Sequence, residues 1–288
     1  MSTAIGRDLA RAIQAELAAE VQALRAQGYP PPGLAVVLVG DDPASLVYVR
    51  NKSRACNQVG IVSSVHHLPR TTTEAEVVAR LAHLGADASV HGILVQLPLP
   101  AHIDETKVIE ALSPDKDVDG FHPLNVARLF TRQPFLVPST PAGIVEFLHR
   151  QHIAIAGKQA VIISASRIVG KPLALMLLNE GAAVTVCHIY TRDLAAITRE
   201  ADLLVSAAGK VKLVTADMVK PGSVVVDVGI NFHEGKTVGD VDAAAVAPRV
   251  ALLTPVPGGV GPVTVAMLLR NTLLAYKHQL GLLSRPDG

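Results

Sequence analysis

Tryptophan is absent from this sequence of 288 residues, and aromatic side chains of any kind make up only 3% of it. With hydrophobic residues at 49%, the interior has to be built from Ala, Val, Leu and Ile. That composition suits parallel strands buried on both faces beneath helices. Charge of either sign is scarce and balanced, with a net charge of +1. Without a basic field, nucleic acid is excluded as a main partner. No apolar run approaches the roughly 18 residues that a spanning helix needs, so no membrane partner is expected. Asp8, Arg11, Glu16 and Glu20 interrupt the first 25 residues, which removes the apolar region of a signal peptide. A soluble, cytoplasmic protein is the expectation. Cys56 and Cys187 lie far apart, with metal-ligand spacing around neither, and read as reduced core thiols. No metal is expected.

The length allows two modest domains. The chain is organised around 36–60, VVLVGDDPASLVYVRNKSRACNQVG. The apolar run 34–39 predicts a buried strand and Gly40 ends it. Asp42 can cap a helix, Pro43 suits its first turn, and Gly60 closes it, predicting a helix over 43–59. Ser45, Tyr48 and Lys52 fall at spacings of three and four, on one face. The near end of that helix sits at the carboxyl edge of a strand, where open α/β sheets bind ligands. An isolated Tyr-x-x-x-Lys pair is most often a wetted surface. Short-chain dehydrogenases use the same spacing catalytically, but there it follows the nucleotide-binding half rather than preceding it.

Leu9, Ile13, Leu17, Val21 and Leu24 predict an amphipathic first helix. Beyond the central stretch we expect a strand at 61–67, a helix from Thr73 to about 84, a strand at 92–96 and a helix at 104–112. Gln96 ends the third of these strands, and Lys116-Asp117-Val118-Asp119-Gly120 follows the next helix. Both then lie on the same edge as Tyr48 and Lys52. A Gln at a strand end is usually a terminator and Asp-x-Asp-Gly usually a turn. Their convergence on two further polar groups favours function for Gln96 and Asp119, with Asp117 bracing the loop.

Residues 121–140 carry prolines at 123, 134 and 138 and read as an irregular crossing into a second domain. Thr140-Pro141 opens a helix. Strands at 160–164, 182–187, 202–206, 223–228 and 250–253, with intervening helices, predict a second parallel sheet of Rossmann type. The turn Ser164-Ala165-Ser166-Arg167-Ile168-Val169-Gly170, followed by Lys171-Pro172, departs from G-x-G-x-x-G and alone reads as a plain strand–helix connection.

Residues 36–56 resemble the substrate-binding segment of the bifunctional methylenetetrahydrofolate dehydrogenase/cyclohydrolase family, called FolD in bacteria. So do GILVQLPLP (92–100), PDKDVDGFHPLN (114–125), SRIVGKP (166–172), VVVDVGIN (224–231), VGDVD (238–242) and TPVPGGVGPVTVAMLLRNT (254–272). The resemblance runs in order along nearly the whole chain. It implies a two-domain α/β fold with a cleft between the domains. A folate-binding catalytic domain over 1–122 is completed by a helix in 262–288, and a Rossmann domain spans 138–261. The implied reaction oxidises 5,10-methylenetetrahydrofolate with NADP, NAD being the lesser choice, and hydrolyses the methenyl product to 10-formyltetrahydrofolate.

The resemblance implies catalytic roles for Lys52, Tyr48, Gln96 and Asp119. Folate would also meet Ser45, Pro257, Gly258 and Gly259. The cofactor would meet Ser164, Ala165, Ser166, Arg167, Ile168, Gly170, Ile189 and Ile230. Ser164 replaces the family's first glycine, Ile189 a polar or basic residue, Ser139 a cysteine and Ala142 a lysine. A homodimer is implied, paired through the Rossmann domain. The alternatives are a dehydrogenase without the hydrolytic step, or a folate-binding homologue with an impaired cofactor site.

Overall fold

The computed structural model describes residues 5–284. They divide into two compact units: Ala12–Ser139 with the residues from Val265 onward, and Thr140–Thr264 with the residues up to Arg11.

α1 (Ile5–Ala26), which enters the first unit at Ala12, buries Ile13, Leu17 and Val21 there. It leads to β1 (Gly33–Val39), whose seven residues are all buried, as expected of the central strand of a covered sheet. α2 (Pro43–Val59) is capped as its sequence predicts. Asp42 accepts from the Ser45 amide, and Gly60 closes the helix at φ 83°. β2 (Val62–Leu68) begins one residue later than expected and pairs in parallel with β1, Gly33 opposite Val62. A Thr73/Glu76 capping box starts α3 (Glu74–Ala86), which leads to β3 (Gly92–Val95) on the other side of β1. α4 (Glu105–Glu110) is shorter than the expected 104–112.

The segment expected to be irregular contains α5 (Pro123–Phe130). Pro123 stands in the first turn, where a helix needs no N–H, and the His122 ring accepts from the Leu124 amide. That proline starts structure rather than breaking it. Val37, Val39, Val77, Leu81, Ile93, Val95 and Val108 form the core beneath α3 and α4. Each full burial of such a side chain is worth about 1.5–3 kcal/mol.

The second unit opens with α6 (Ser139–Arg150) and β4 (Gln159–Ile163), then α7 (Gly170–Asn179), β5 (Ala183–Cys187), α8 (Leu194–Thr198) and β6 (Leu203–Ser206). A single 3₁₀ turn, Ala216–Met218, stands where a helix was expected, and β7 (Val224–Asp227) follows. Next comes a hairpin that the sequence reading missed, β8 (Asn231–His233) and β9 (Lys236–Val238). Its turn residues Glu234 and Gly235 both have positive φ, 49° and 76°, as a two-residue hairpin with right-handed twist requires. α9 (Ala243–Val246) and β10 (Leu252–Leu253) complete the unit.

The strand order is β10-β7-β6-β4-β5, all parallel, so the winding reverses beside β4. That switch point is where Rossmann-type sheets receive a ligand. Both sheets therefore have the parallel α/β organisation expected of the chain.

α10 (Val260–Gln279) closes the chain, and its residues from Val265 onward belong to the first unit. There the Tyr276 hydroxyl donates to the Pro30 carbonyl at 2.7 Å, and Lys277 pairs with Glu20 at 2.6 Å. No described helix is long and apolar enough to cross a membrane.

Candidate active site

The parallel winding of the first sheet gathers side chains at its carboxyl edge. α2 leaves that edge, so its first three turns present Tyr48, which is 42% exposed, and the half-buried Lys52. β3 reaches the same edge and hands on to Gln96. The Gln96 amide donates to the Val37 carbonyl at 2.9 Å, extending the ladder by one residue. The Gln96 side chain is thereby fixed: Nε2 donates to the Leu97 carbonyl at 2.7 Å, and Oε1 accepts from Lys52 Nζ at 3.0 Å. Ser45 lies deeper than its face-mates, at 2% exposure. Its amide donates to Asp42 at 2.7 Å, so its visible work is helix capping.

Asp119 arrives by a different route. The Lys116 carbonyl accepts from the Ile93 amide, and Asp117 bridges to Ile93 in parallel. The 116–119 segment therefore runs beside β3 toward its carboxyl end. Asp117 holds the following turn, accepting from the His122 amide at 2.8 Å and Asn125 Nδ2 at 2.9 Å. Gly120 turns at φ 70°, and a Cβ there would lie 2.5 Å from the Val137 carbonyl carbon. From α10, Asn271 Nδ2 donates to the carbonyls of Val118 at 2.8 Å and Val137 at 2.7 Å. Asn271 lies within the 254–272 motif, in the polar triplet Arg270-Asn271-Thr272 set between the apolar runs 265–269 and 273–275. Nothing in that local sequence points to this bracing role.

Burial pulls the Lys52 ammonium below lysine's ordinary value, while Asp119 and then Cys56 oppose that shift. Burial likewise pushes Asp119 up to about 6, against the pull of Lys52. The Cys56 thiol, buried beneath the same helix, is raised to about 12 and stays protonated. Lys52 is thus an amine in hydrogen-bond contact with an amide, with a carboxylate near enough to be felt and a phenol one turn away. Such a group is an amine of reduced basicity placed to exchange protons with a bound ligand.

In the second unit the β4–α7 turn sits at the switch point. A Cβ on Gly170 would collide with the Ser164 carbonyl oxygen, so the close strand–helix approach depends on glycine. Ser164 stands outside the left-handed region, where the only described non-glycine residues are Arg132, His152, Asp193, Lys212 and Glu234. Serine therefore replaces glycine there without backbone strain. Ser166 Oγ accepts from the amides of Val169 at 3.1 Å and Gly170 at 3.2 Å, ordering the start of α7. Ala165 is half-buried, and Arg167 and Ile168 are exposed on the turn. Its glycine packing and exposed rim fit a pyrophosphate at a helix start.

Ile189, 88% exposed, follows β5, and Ile230, 59% exposed, follows β7. Asp240 anchors the loop after β6, accepting from the amides of Ala208, Gly209 and Lys210 and from the Ser206 hydroxyl. It also accepts from Asn231 Nδ2 at 3.0 Å, holding the segment that carries Ile230. Pro257, Gly258 and Gly259 lie between β10 and α10. Gly258 adopts φ 103°, and a Cβ on Gly259 would approach the Pro255 carbonyl oxygen to 2.5 Å.

Residues 5–119 match the catalytic domain of tetrahydrofolate dehydrogenase/cyclohydrolase, and residues 138–280 match that family's NAD(P)-binding domain. The chain is 54% identical to the bifunctional protein FolD of Burkholderia thailandensis, over 95% of this chain and 96% of the relative. The crystal structure of the Campylobacter jejuni bifunctional FolD enzyme superposes with a TM-score of 0.93 at 51% identity, covering 95% and 97% of the two chains. The Trypanosoma brucei methylenetetrahydrofolate dehydrogenase–cyclohydrolase, complexed with NADP and an inhibitor, gives 0.92 at 40% identity, covering 96% and 97%. With both domains matched in order and a paired Lys52 and Gln96 at the edge of its first sheet, the chain belongs to the tetrahydrofolate dehydrogenase/cyclohydrolase family.

Proposed function

We propose that the carboxyl edge of the first sheet binds a reduced folate and that Lys52 moves the proton in its hydrolysis. The chain is a bifunctional methylenetetrahydrofolate dehydrogenase and methenyltetrahydrofolate cyclohydrolase. The observation that carries the proton-handling role is the 3.0 Å hydrogen bond from Lys52 to Gln96, on an amine whose basicity burial has already reduced.

NADP, when bound, accepts the hydride from the bridging carbon of 5,10-methylenetetrahydrofolate. The NADP complex of the Trypanosoma brucei relative supports that choice. So does the absence of a carboxylate directly after β5. In this reading the pyrophosphate would lie against the 165–168 turn, with Ser166 ordering the start of α7 and Gly170 allowing the close strand–helix approach.

Tyr48 offers an exposed ring for the folate to lie against. Asp119, ionised above about pH 6, accepts from N–H donors of the pterin in a charge-assisted pair. The methenyl product carries a positive charge, which disfavours a second cation beside it and drives Lys52 further toward the neutral amine. Neutral Lys52 takes a proton from water as the water oxygen adds to the methenyl carbon. Gln96 fixes the amine's direction through Oε1. Returning that proton to the departing ring nitrogen, while the hydroxyl proton leaves to solvent as the C=O forms, opens the ring to 10-formyltetrahydrofolate. A homodimer acting in the cytoplasm completes the reading, supported by family membership; light scattering should find twice the 30.2 kDa chain mass.

The test is one absorbance experiment with methylenetetrahydrofolate and each nicotinamide cofactor. Methenyl-folate should appear and then decay enzymatically. Appearance without catalysed decay would leave a dehydrogenase alone, and no reaction with either cofactor would leave a folate-binding protein.

A further inference from the structure

The run Lys220-Pro221-Gly222-Ser223 has the makings of a type II turn, with proline second and glycine third. Gly222 takes φ 77°, and the Ser223 amide closes the turn by donating to the Lys220 carbonyl at 3.1 Å. The turn delivers β7, so Ser223 stands at the amino end of that strand. Its carbonyl accepts from the Ala251 amide at 2.9 Å, which engages the backbone on both sides. Only the side chain is left over. Ser223 is 4% exposed, and its Oγ is buried without a hydrogen-bond partner. A buried hydroxyl in that state costs stability and is a group that a ligand can satisfy.

Ser223 lines a cavity of about 240 Å³ at the amino ends of β4, β6 and β7. A single water needs only roughly 10–15 Å³, so the space admits a larger polar molecule. Lys158 and Lys220 line it too, and Asp202 is the one acid among the lining residues. Both Asp202 oxygens are already engaged. Lys220 Nζ donates to Oδ1 at 2.7 Å, and the Gln159 amide donates to Oδ2 at 3.0 Å. Lys158 is exposed, and its ammonium has no hydrogen-bond or ion-pair partner among the described residues. Two lysines against one aspartate leave the lining net positive. The β4–α7 turn lies at the opposite ends of these strands, about 13–17 Å away for four to five residues.

We propose that this amino-edge cavity binds a small phosphate-bearing molecule, with Lys158 and Lys220 as counter-charges and the Ser223 hydroxyl as the buried donor. The lining charge favours an anion. A hydroxyl and two ammonium groups around one space suit the several acceptor oxygens of a phosphate. The site is separate from the folate and dinucleotide readings and stands or falls without them.

Inorganic phosphate is the probe, titrated at constant ionic strength into the whole protein saturated with NADP, so that cofactor contacts are filled. Amide NMR shifts at Lys158, Gly222 and Ser223 should saturate below about 10 mM. Ser223→Ala should weaken phosphate about tenfold, the worth of a hydrogen bond to a charged group. Lys158→Gln should weaken it up to about fivefold, as an exposed charge allows. Without phosphate, Ser223→Ala should melt at or above the wild-type temperature, because its hydroxyl has no protein partner to lose. No saturable shift at these amides, or saturable shifts elsewhere only, overturns the site. So does unchanged phosphate affinity in Ser223→Ala, or a lower melting temperature of that variant without phosphate. A parallel titration with malonate that binds more tightly than phosphate would overturn the phosphate assignment in favour of a carboxylate.

Discussion

Lys52 Nζ donates to Gln96 Oε1 at 3.0 Å, joining a helix that leaves the first sheet to a strand end that reaches it 44 residues later. Neither residue is unusual alone. Together they present a directed amine at the ligand-binding edge of a parallel sheet.

Replacing the amine tests its role. Lys52→Met keeps the stem length and apolar packing while removing the proton carrier. Hydrolysis of methenyltetrahydrofolate should fall by about a thousandfold, within the range that general acid–base groups supply. Folate binding, followed by calorimetry, should survive. Hydrolysis at the wild-type rate would reduce Lys52 to a surface lysine.

Gln96→Met separates direction from presence. The carbonyl oxygen of Gln96 favours the charged amine, so losing it should lower the basicity of Lys52 further. The acidic limb of the cyclohydrolase pH profile should move to lower pH, and the plateau rate should fall about tenfold or more. A profile that stays in place with a reduced plateau would mean that Gln96 only packs.

Asp119 makes a linkage prediction with a definite sign. Burial raises its folded value from 3.8 to about 6, so the native state holds a proton that the unfolded chain has released. The contribution of this group to stability is therefore largest below pH 4 and declines as pH rises to about 6. Asp119→Asn lacks that decline. Its stability relative to wild type should improve by about 1–3 kcal/mol between pH 4 and pH 7 in urea titrations. A constant difference across that range would refute the raised value.

Asn271 is the support that reaches the site from the far end of the chain. Asn271→Leu leaves two carbonyls, those of Val118 and Val137, without their donor. The expected loss is about 2–4 kcal/mol in denaturant unfolding, together with a raised KM for folate as the Asp119 loop loosens. Unchanged stability would show that the loop holds itself.

Much of this architecture is legible locally. A β-branched run, an Asp-Pro helix start and a glycine stop define β1 and α2 because capping and backbone preference act within a few residues. Thr73 and Glu76 announce α3 for the same reason. Where local signs compete, they mislead. Pro123 reads as a breaker until its place in the first turn is known, and Glu234-Gly235 makes a hairpin turn without the usual asparagine.

What the sequence by itself determined is the order of the parallel strands and most of the helices, the carboxyl-edge placement of Tyr48, Lys52 and Gln96, and the family motifs. All of these depend on periodicity and short spacings. Only the tertiary structure decided that Ser45 is buried below its face-mates, that Ser164 sits without strain, and that Asn271 braces a loop more than 130 residues earlier. Those outcomes depend on burial and on hydrogen-bond partners distant along the chain. Spacing along the chain carries no trace of either, because both arise when separate segments pack together and exclude water.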